Sequence, residues 1–141
     1  MDRIVTGHAS DGRATIIEDE ALVAAPGLPN SKSETRVAWA TADACARVAI
    51  ESAGASAFPG AGEARFLILT LPPDFASAMH VTQTTDFVVV ISGELWLVME
   101  DGGERRLLPG DSVIQRATNH AWQNRSTEPC VLAATMIGLR D

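Results

Sequence analysis

The chain has 141 residues, 46% of them hydrophobic and 21% charged, a balance that excludes general disorder and fits one globular domain. Eighteen acidic residues against eleven Lys and Arg give a net charge of −7, which argues against nucleic-acid or anionic-membrane partners, since both require a basic face. No apolar run approaches the roughly 20 residues of a membrane-spanning helix. The start, MDRIVTGHASDGR, is too polar for a signal or transit peptide. Cys45 and Cys130 are too few for a disulfide framework, so a reduced cytoplasmic setting is expected.

In chain order, residues 1–62 read as a strand-containing N-terminal arm. Ile4-Val5, Ala14 to Ile17 and Val37-Ala38-Trp39 are short strand candidates. They are divided by loop-rich runs at Ala25 to Ser31 and Gly54 to Gly62. Thr41 to Glu51 suits either a capped Ala-rich helix or a strand. Residues 63–141 read as a barrel within the same single domain. Phe66 to Leu71 is stopped by Pro72-Pro73. Phe87 to Ile91 runs into Ser92-Gly93 and then Glu94 to Met99, which predicts a tight hairpin. Asp101-Gly102-Gly103 and Pro109-Gly110-Asp111 are further turns. Ser112 to Arg116, His120 to Asn124 and Cys130 to Leu139 complete the strands. Strands at about ten-residue spacing predict an all-β, small antiparallel barrel or jelly roll.

Of the three histidines, His8 reads as a solvated loop residue. His80 and His120 lie in the β-rich part. Alternate residues of a strand share a face, so an unbroken strand would align His80, Thr82, Thr84 and Asp86, and likewise His120 and Trp122. Closure of a barrel over these faces would converge His80, Asp86 and His120. Two imidazoles and a carboxylate match a facial-triad iron site and also suit zinc, manganese or nickel. The alternative is a hydrogen-bonded polar pair of His80 and Asp86 without a metal ion. Either arrangement would serve acid–base chemistry. Trp96 and Trp122 each suit the wall of an apolar or aromatic ligand pocket or ordinary packing, and for Trp96, between Leu95 and Leu97, packing is the simpler reading. One of Gln115 and Arg116 must face inward. Arg116 could clamp a substrate carboxylate or sit on the surface.

His80-x-Thr82-x3-Asp86-x6-Gly93 resembles the first cupin motif. Gly110-Asp111-x8-His120-x3-Asn124 resembles the second. Val5-Thr6-Gly7-His8, Trp39 and Gln115 to Trp122 further resemble a subgroup of small cupins. The resemblance implies a double-stranded β-helix barrel and a homodimer in which arm strands often cross. It places His80 at the first His ligand position, Asp86 at the Glu position and His120 at the last His. Thr82 stands where the second His belongs, and a hydroxyl is a poor ligand for a transition metal. The expected function is a small-molecule enzyme or binder, with or without a divalent ion (Zn, Fe, Mn or Ni). Its compound would be a small organic acid, a carbonyl or an aromatic, polyketide-like molecule. Its pocket would be lined by His80, Thr82, Asp86, Gln115, Arg116, His120 and Trp122. A non-catalytic metabolite-binding cupin is the alternative.

Overall fold

The computed structural model describes residues 2–23, 38–39 and 58–140. Among these are nine strands: β1 (Asp2–His8), β2 (Ala14–Ala21), β3 (Ala64–Leu71), β4 (Thr84–Ser92), β5 (Leu95–Met99), β6 (Glu104–Leu107), β7 (Ser112–Arg116), β8 (His120–Gln123) and β9 (Cys130–Gly138). They form a six-stranded sheet in the order β2-β1-β7-β4-β9-β3 and a three-stranded sheet in the order β6-β5-β8. The fold is all-β, as expected. No helix is long and apolar enough to cross a membrane among the described residues.

Alternation builds the core. On β4 the buried residues are Thr84, Asp86, Val88 and Val90, and the residues between them are half-buried or exposed. Val88 and Val90 join Ile4, Val113 and Leu132 of the large sheet and Leu95, Leu97, Met99 and Leu107 of the small one in a single apolar cluster. Leu97 has no exposed surface, so truncation to Ala costs about 2–5 kcal/mol. The same inward row of β4 continues past the apolar cluster to Asp86 and Thr84. Opposite them on β7, Val113 pairs with Val88 and Gln115 with Asp86. The interior is therefore apolar at one end and polar at the other.

Several expectations change. The first strand is not part of a separate arm: β1 lies parallel to β7, in register Ile4↔Val113, and antiparallel to β2. The barrel is thus mixed rather than purely antiparallel. Ser92-Gly93 is not a hairpin, because β4 pairs with β7 and β9 while β5 pairs with β6 and β8. The chain instead turns a corner between the sheets there. Gly93 has φ 79°, and a Cβ on it would stand 2.5 Å from the Pro129 carbonyl oxygen. The β6 strand, Glu-Arg-Arg-Leu, carries too many charges to show a strand pattern and is held by register with β5. Ala38 and Trp39 are not in a strand. Val37, Cys45 and the Thr41 to Glu51 stretch lie outside the described residues.

Candidate functional site

His80 lies outside β4, because the chain is irregular at residues 81–83. The expected continuous row from His80 to Asp86 is therefore broken. His80 is placed instead by an isolated antiparallel bridge to His120. His80 N donates to the His120 carbonyl at 2.9 Å, and His120 N donates to the His80 carbonyl at 3.0 Å. The two ring centroids are 4.6 Å apart with planes tilted by 47°. Trp122 meets His120 edge-on at 5.3 Å and packs against the apolar core.

Both rings are anchored through Nδ1. The His80 Nδ1 is 2.9 Å from the Ala78 carbonyl, and the His120 Nδ1 is 2.9 Å from the Thr118 carbonyl. A carbonyl only accepts, so in a neutral His80 ring Nδ1 carries the hydrogen and Nε2 presents a lone pair; the His120 Nδ1 lies between two groups, the Thr118 carbonyl and the Gln115 Nε2 at 3.2 Å. His120 is 1% exposed, and burial drives its pKa down to about 4, with the neighbouring His80 adding to the shift and the Thr118 hydrogen bond opposing it. At neutral pH it is an uncharged acceptor.

Gln115 is completely buried and spends its whole amide on this frame. Its Nε2 lies 3.1 Å from Thr82 Oγ1, 3.2 Å from the His120 Nδ1 and 3.4 Å from the Thr118 carbonyl. Its Oε1 accepts from Ala117 N at 2.8 Å. Ala117 has φ 49°, so this bond steadies a residue in the left-handed region just ahead of His120. Thr6 of β1 secures the same turn: Thr118 Oγ1 donates to Thr6 Oγ1 at 2.9 Å, and Thr6 Oγ1 donates to the Ile114 carbonyl at 3.1 Å. Thr6 and Thr118 were not among the expected site residues. Both fall in stretches that resemble the small-cupin subgroup, but nothing local shows that they meet, because they lie about a hundred positions apart.

Asp86 is 7% exposed, and its Oδ1 makes no hydrogen bond; nor does Oγ1 of Thr84, which is 3% exposed. Burial pushes the Asp86 carboxyl above its ordinary range, while the nearby Thr84 and Thr82 hydroxyls and His80 pull it back. Among the described residues no three His, Cys, Asp or Glu side chains gather closely enough to hold a metal ion. His80 and His120 have the orientation of ligating imidazoles, with Nδ1 tied to a carbonyl. The third position is Thr82, whose hydroxyl is engaged by Gln115. His80 is near enough to act on the Asp86 carboxyl, but among the described residues His80, Asp86 and His120 do not form a group of three that could hold a metal ion, short of the three protein ligands of an open catalytic centre.

A cavity of about 340 Å³ is walled by Phe58, Pro59, Val81 and Gln83 together with His80, Thr82 and Thr84. The remaining expected pocket residues divide. Gln115 faces inward, whereas Arg116 is exposed on the outward side of β7 and does not line the cavity. Trp96 lies outside the site, with the Arg125 guanidinium 4.5 Å over its ring.

Two facing sheets with paired histidines on the inner surface define a double-stranded β-helix barrel. Residues 67–137, half of the chain, match the Cupin domain family (Cupin_2), and the chain belongs to that family. It superposes on a conserved protein with a double-stranded β-helix domain from Klebsiella pneumoniae at 23% identity and TM-score 0.50, over 56% of this chain and 70% of that one. Among sequence relatives, Phomopsin biosynthesis cluster protein C' of Diaporthe leptostromiformis is 46% identical over 59 residues, covering 42% of this chain and 31% of the relative. Oryzines biosynthesis cluster protein J of Aspergillus oryzae is 46% identical over 69 residues, covering 48% and 37%. A cupin-domain-containing oxidoreductase of Aspergillus ruber is 39% identical over 57 residues, covering 40% and 28%. The matched stretch thus spans about a third of each relative's length.

Proposed function

We propose that the chain is a small-molecule cupin enzyme that transfers protons, with His80 as the base. The observation that carries this reading is the position of His80. It is half-buried, it walls the cavity, its Nδ1 is fixed on the Ala78 carbonyl, and its Nε2 is left bare. Behind it His120 stays neutral and hydrogen-bonded to the main chain. His80 accepts a proton at Nε2 from a compound seated in the cavity and, being partly exposed, returns it to solvent or to another atom of the same compound. His120, whose imidazolium is disfavoured by burial, stays uncharged beside it. Abstraction next to a carbonyl followed by return at another atom is an isomerisation. Loss of hydroxide from the neighbouring carbon, which takes a proton and leaves as water, makes it a dehydration; in a decarboxylation the carbon–carbon bond to the carboxylate breaks to release carbon dioxide, and the protonated His80 delivers its proton to the carbon left behind.

Relatives named for biosynthesis clusters and as an oxidoreductase support a small-molecule compound, for which the carbonyl or aromatic, polyketide-like class is proposed. A resident divalent ion does not fit the two-imidazole donor set, and no step is assigned to one.

The test is wash-in of solvent deuterium beside the carbonyl of acetophenone. Exchange faster than in buffer is expected with wild-type protein, both before and after EDTA treatment. His80→Gln should lose about 10²–10⁴-fold of the acceleration. Exchange no faster than in buffer would reduce the site to the non-catalytic binding alternative. Loss of exchange after EDTA would restore a metal ion to the mechanism.

A further inference from the structure

We infer that Thr82 holds the oxygen of the compound's carbonyl group: its hydroxyl donates to that oxygen while His80 takes the proton from the carbon beside it. The inference rests on the reading of His80 as a base in this cavity and adds the second group that such a reaction needs. When a C–H bond next to a carbonyl gives up its proton, its electron pair forms a carbon–carbon double bond and the carbonyl pair moves onto oxygen. The charge that gathers there must be met by a donor other than His80, whose Nε2 is taking the proton. One donor aimed at such an oxygen is worth about 10²–10³-fold in rate.

The direction of the Thr82 hydroxyl follows from Gln115. The Gln115 Oε1 accepts from Ala117 N at 2.8 Å, and a backbone N–H only donates, so the amide is fixed with Nε2 on its other side. That Nε2 lies 3.1 Å from Thr82 Oγ1. An amide nitrogen carries two hydrogens and does not accept. It also meets the His120 Nδ1 and the Thr118 carbonyl, but whichever of the three it serves, it cannot take the Thr82 hydrogen. That hydrogen leaves in another direction. Thr82 is half-buried and walls the same cavity as His80, two positions away. The Asp86 carboxyl is the inner competitor, since the Thr82 hydroxyl acts on it. The Thr84 hydroxyl acts on it too, and a hydroxyl hydrogen rotates, so Thr82 can turn to a ligand without leaving Asp86 unserved.

The other polar groups of the wall suit the task less. Thr84 Oγ1 is shut away from solvent. Gln83 is exposed, and holding its long side chain in place costs rotamer entropy. Phe58, Pro59 and Val81 supply apolar surroundings, which strengthen a hydrogen bond made beside them.

The test uses acetophenone carrying ¹³C at its carbonyl. The carbonyl stretch of the bound probe is read by isotope-edited infrared spectroscopy, and deuterium wash-in is measured on the same samples. In wild-type protein the bound band should lie below its frequency in hexane, as it does in an alcohol. Thr82→Val should return the band to the hexane value and lose about 10²–10³-fold of the exchange rate, whereas Thr82→Ser, which keeps the hydroxyl, should retain the band and stay within about tenfold. If Thr82→Val does not fold, Thr82→Ala removes the same hydroxyl with less bulk and takes its place. A band at the hexane frequency in wild type, or one that neither substitution moves, overturns the inference; accelerated exchange in the same samples then leaves His80 as the base. A band that moves only with Gln83→Ala assigns the donor to Gln83 and overturns it as well. A band that depends on Thr82, without exchange faster than in buffer, sustains Thr82 as the oxygen's partner and overturns the proton-transfer reading. No bound probe at about 10 mM overturns both.

Discussion

His80 and His120 are cross-strand partners whose side chains repeat the same local arrangement. Each places Nδ1 2.9 Å from the carbonyl two residues before it, Ala78 in one case and Thr118 in the other. The backbones are tied by two reciprocal hydrogen bonds, so the rings face one another with both Nε2 atoms bare. The pair is thereby oriented by the main chain and, at His120, by the Gln115 Nε2 3.2 Å from Nδ1, before any ligand arrives.

Burial of His120 makes the fold sensitive to acid. Its folded pKa of about 4 lies below the ordinary histidine value of 6.5, so between these values the unfolded chain takes up the extra proton. Above pH 6.5 the residue imposes no penalty. As pH falls from 6.5 towards 4 it should remove about 3 kcal/mol of stability. Urea melts of wild type and His120→Gln at several pH values should diverge by this amount, the variant losing less. Parallel curves would show that His120 stays exposed to protonation in the folded state.

Gly93→Val should abolish or severely weaken folding, while His120→Gln should retain the fold and lose the site's function. Valine at φ 79° is strained by about 1–3 kcal/mol, and its Cβ would overlap the Pro129 carbonyl oxygen, which is backbone and has little room to move. Thermal melts beside ligand binding separate the two cases. A Gly93→Val protein melting within a few degrees of wild type would contradict the sheet-crossing corner.

Thr82→His should create metal affinity. The Thr82 hydroxyl meets Gln115, which also approaches the His120 ring, so an imidazole there would join the existing pair. Zinc at 100-fold above its dissociation constant would stabilise the folded state by about 2.7 kcal/mol. Paired melts with zinc and with chelator check this. Equal zinc-dependent shifts in wild type and variant would mean that Thr82 does not occupy the missing ligand position.

A homodimer is expected from the outward face of β4, β9 and β3. Register aligns Phe87, Thr135 and Phe66 in one row and Val89, Ala133 and Ile68 in the next. Phe66 is 70% and Ile68 60% exposed, an unusual pair of neighbours for open solvent. Light scattering at micromolar concentration should give twice the chain mass. Ile68→Lys should weaken the association at least tenfold, about 1.4 kcal/mol. A monomer in the wild type would count against this face as an interface.

The strands of residues 63–141 were legible because apolar and β-branched runs end at Pro, Gly and Asp, whose backbone preferences act locally. His80, Thr82, Asp86, Gln115, His120 and Trp122 stood out by spacing, and the inward turn of one residue of the Gln115-Arg116 pair followed from alternation. Tertiary structure alone decided that Gln115 is the inward one, since the face of a strand depends on what packs over it. It decided that β1 enters the large sheet beside β7, because parallel pairing of segments about a hundred residues apart leaves no local pattern. For the same reason Ser92-Gly93 read as a hairpin: a Gly with positive φ serves a tight turn and a sheet-crossing corner equally well. The relation of Asp86 to the histidines was likewise invisible, because the break at residues 81–83 sets His80 by its bridge to His120 rather than by the strand that carries Asp86. Spacing along the chain names the residues that belong to a site; the distances between them depend on strands that pair only after the chain has closed on itself.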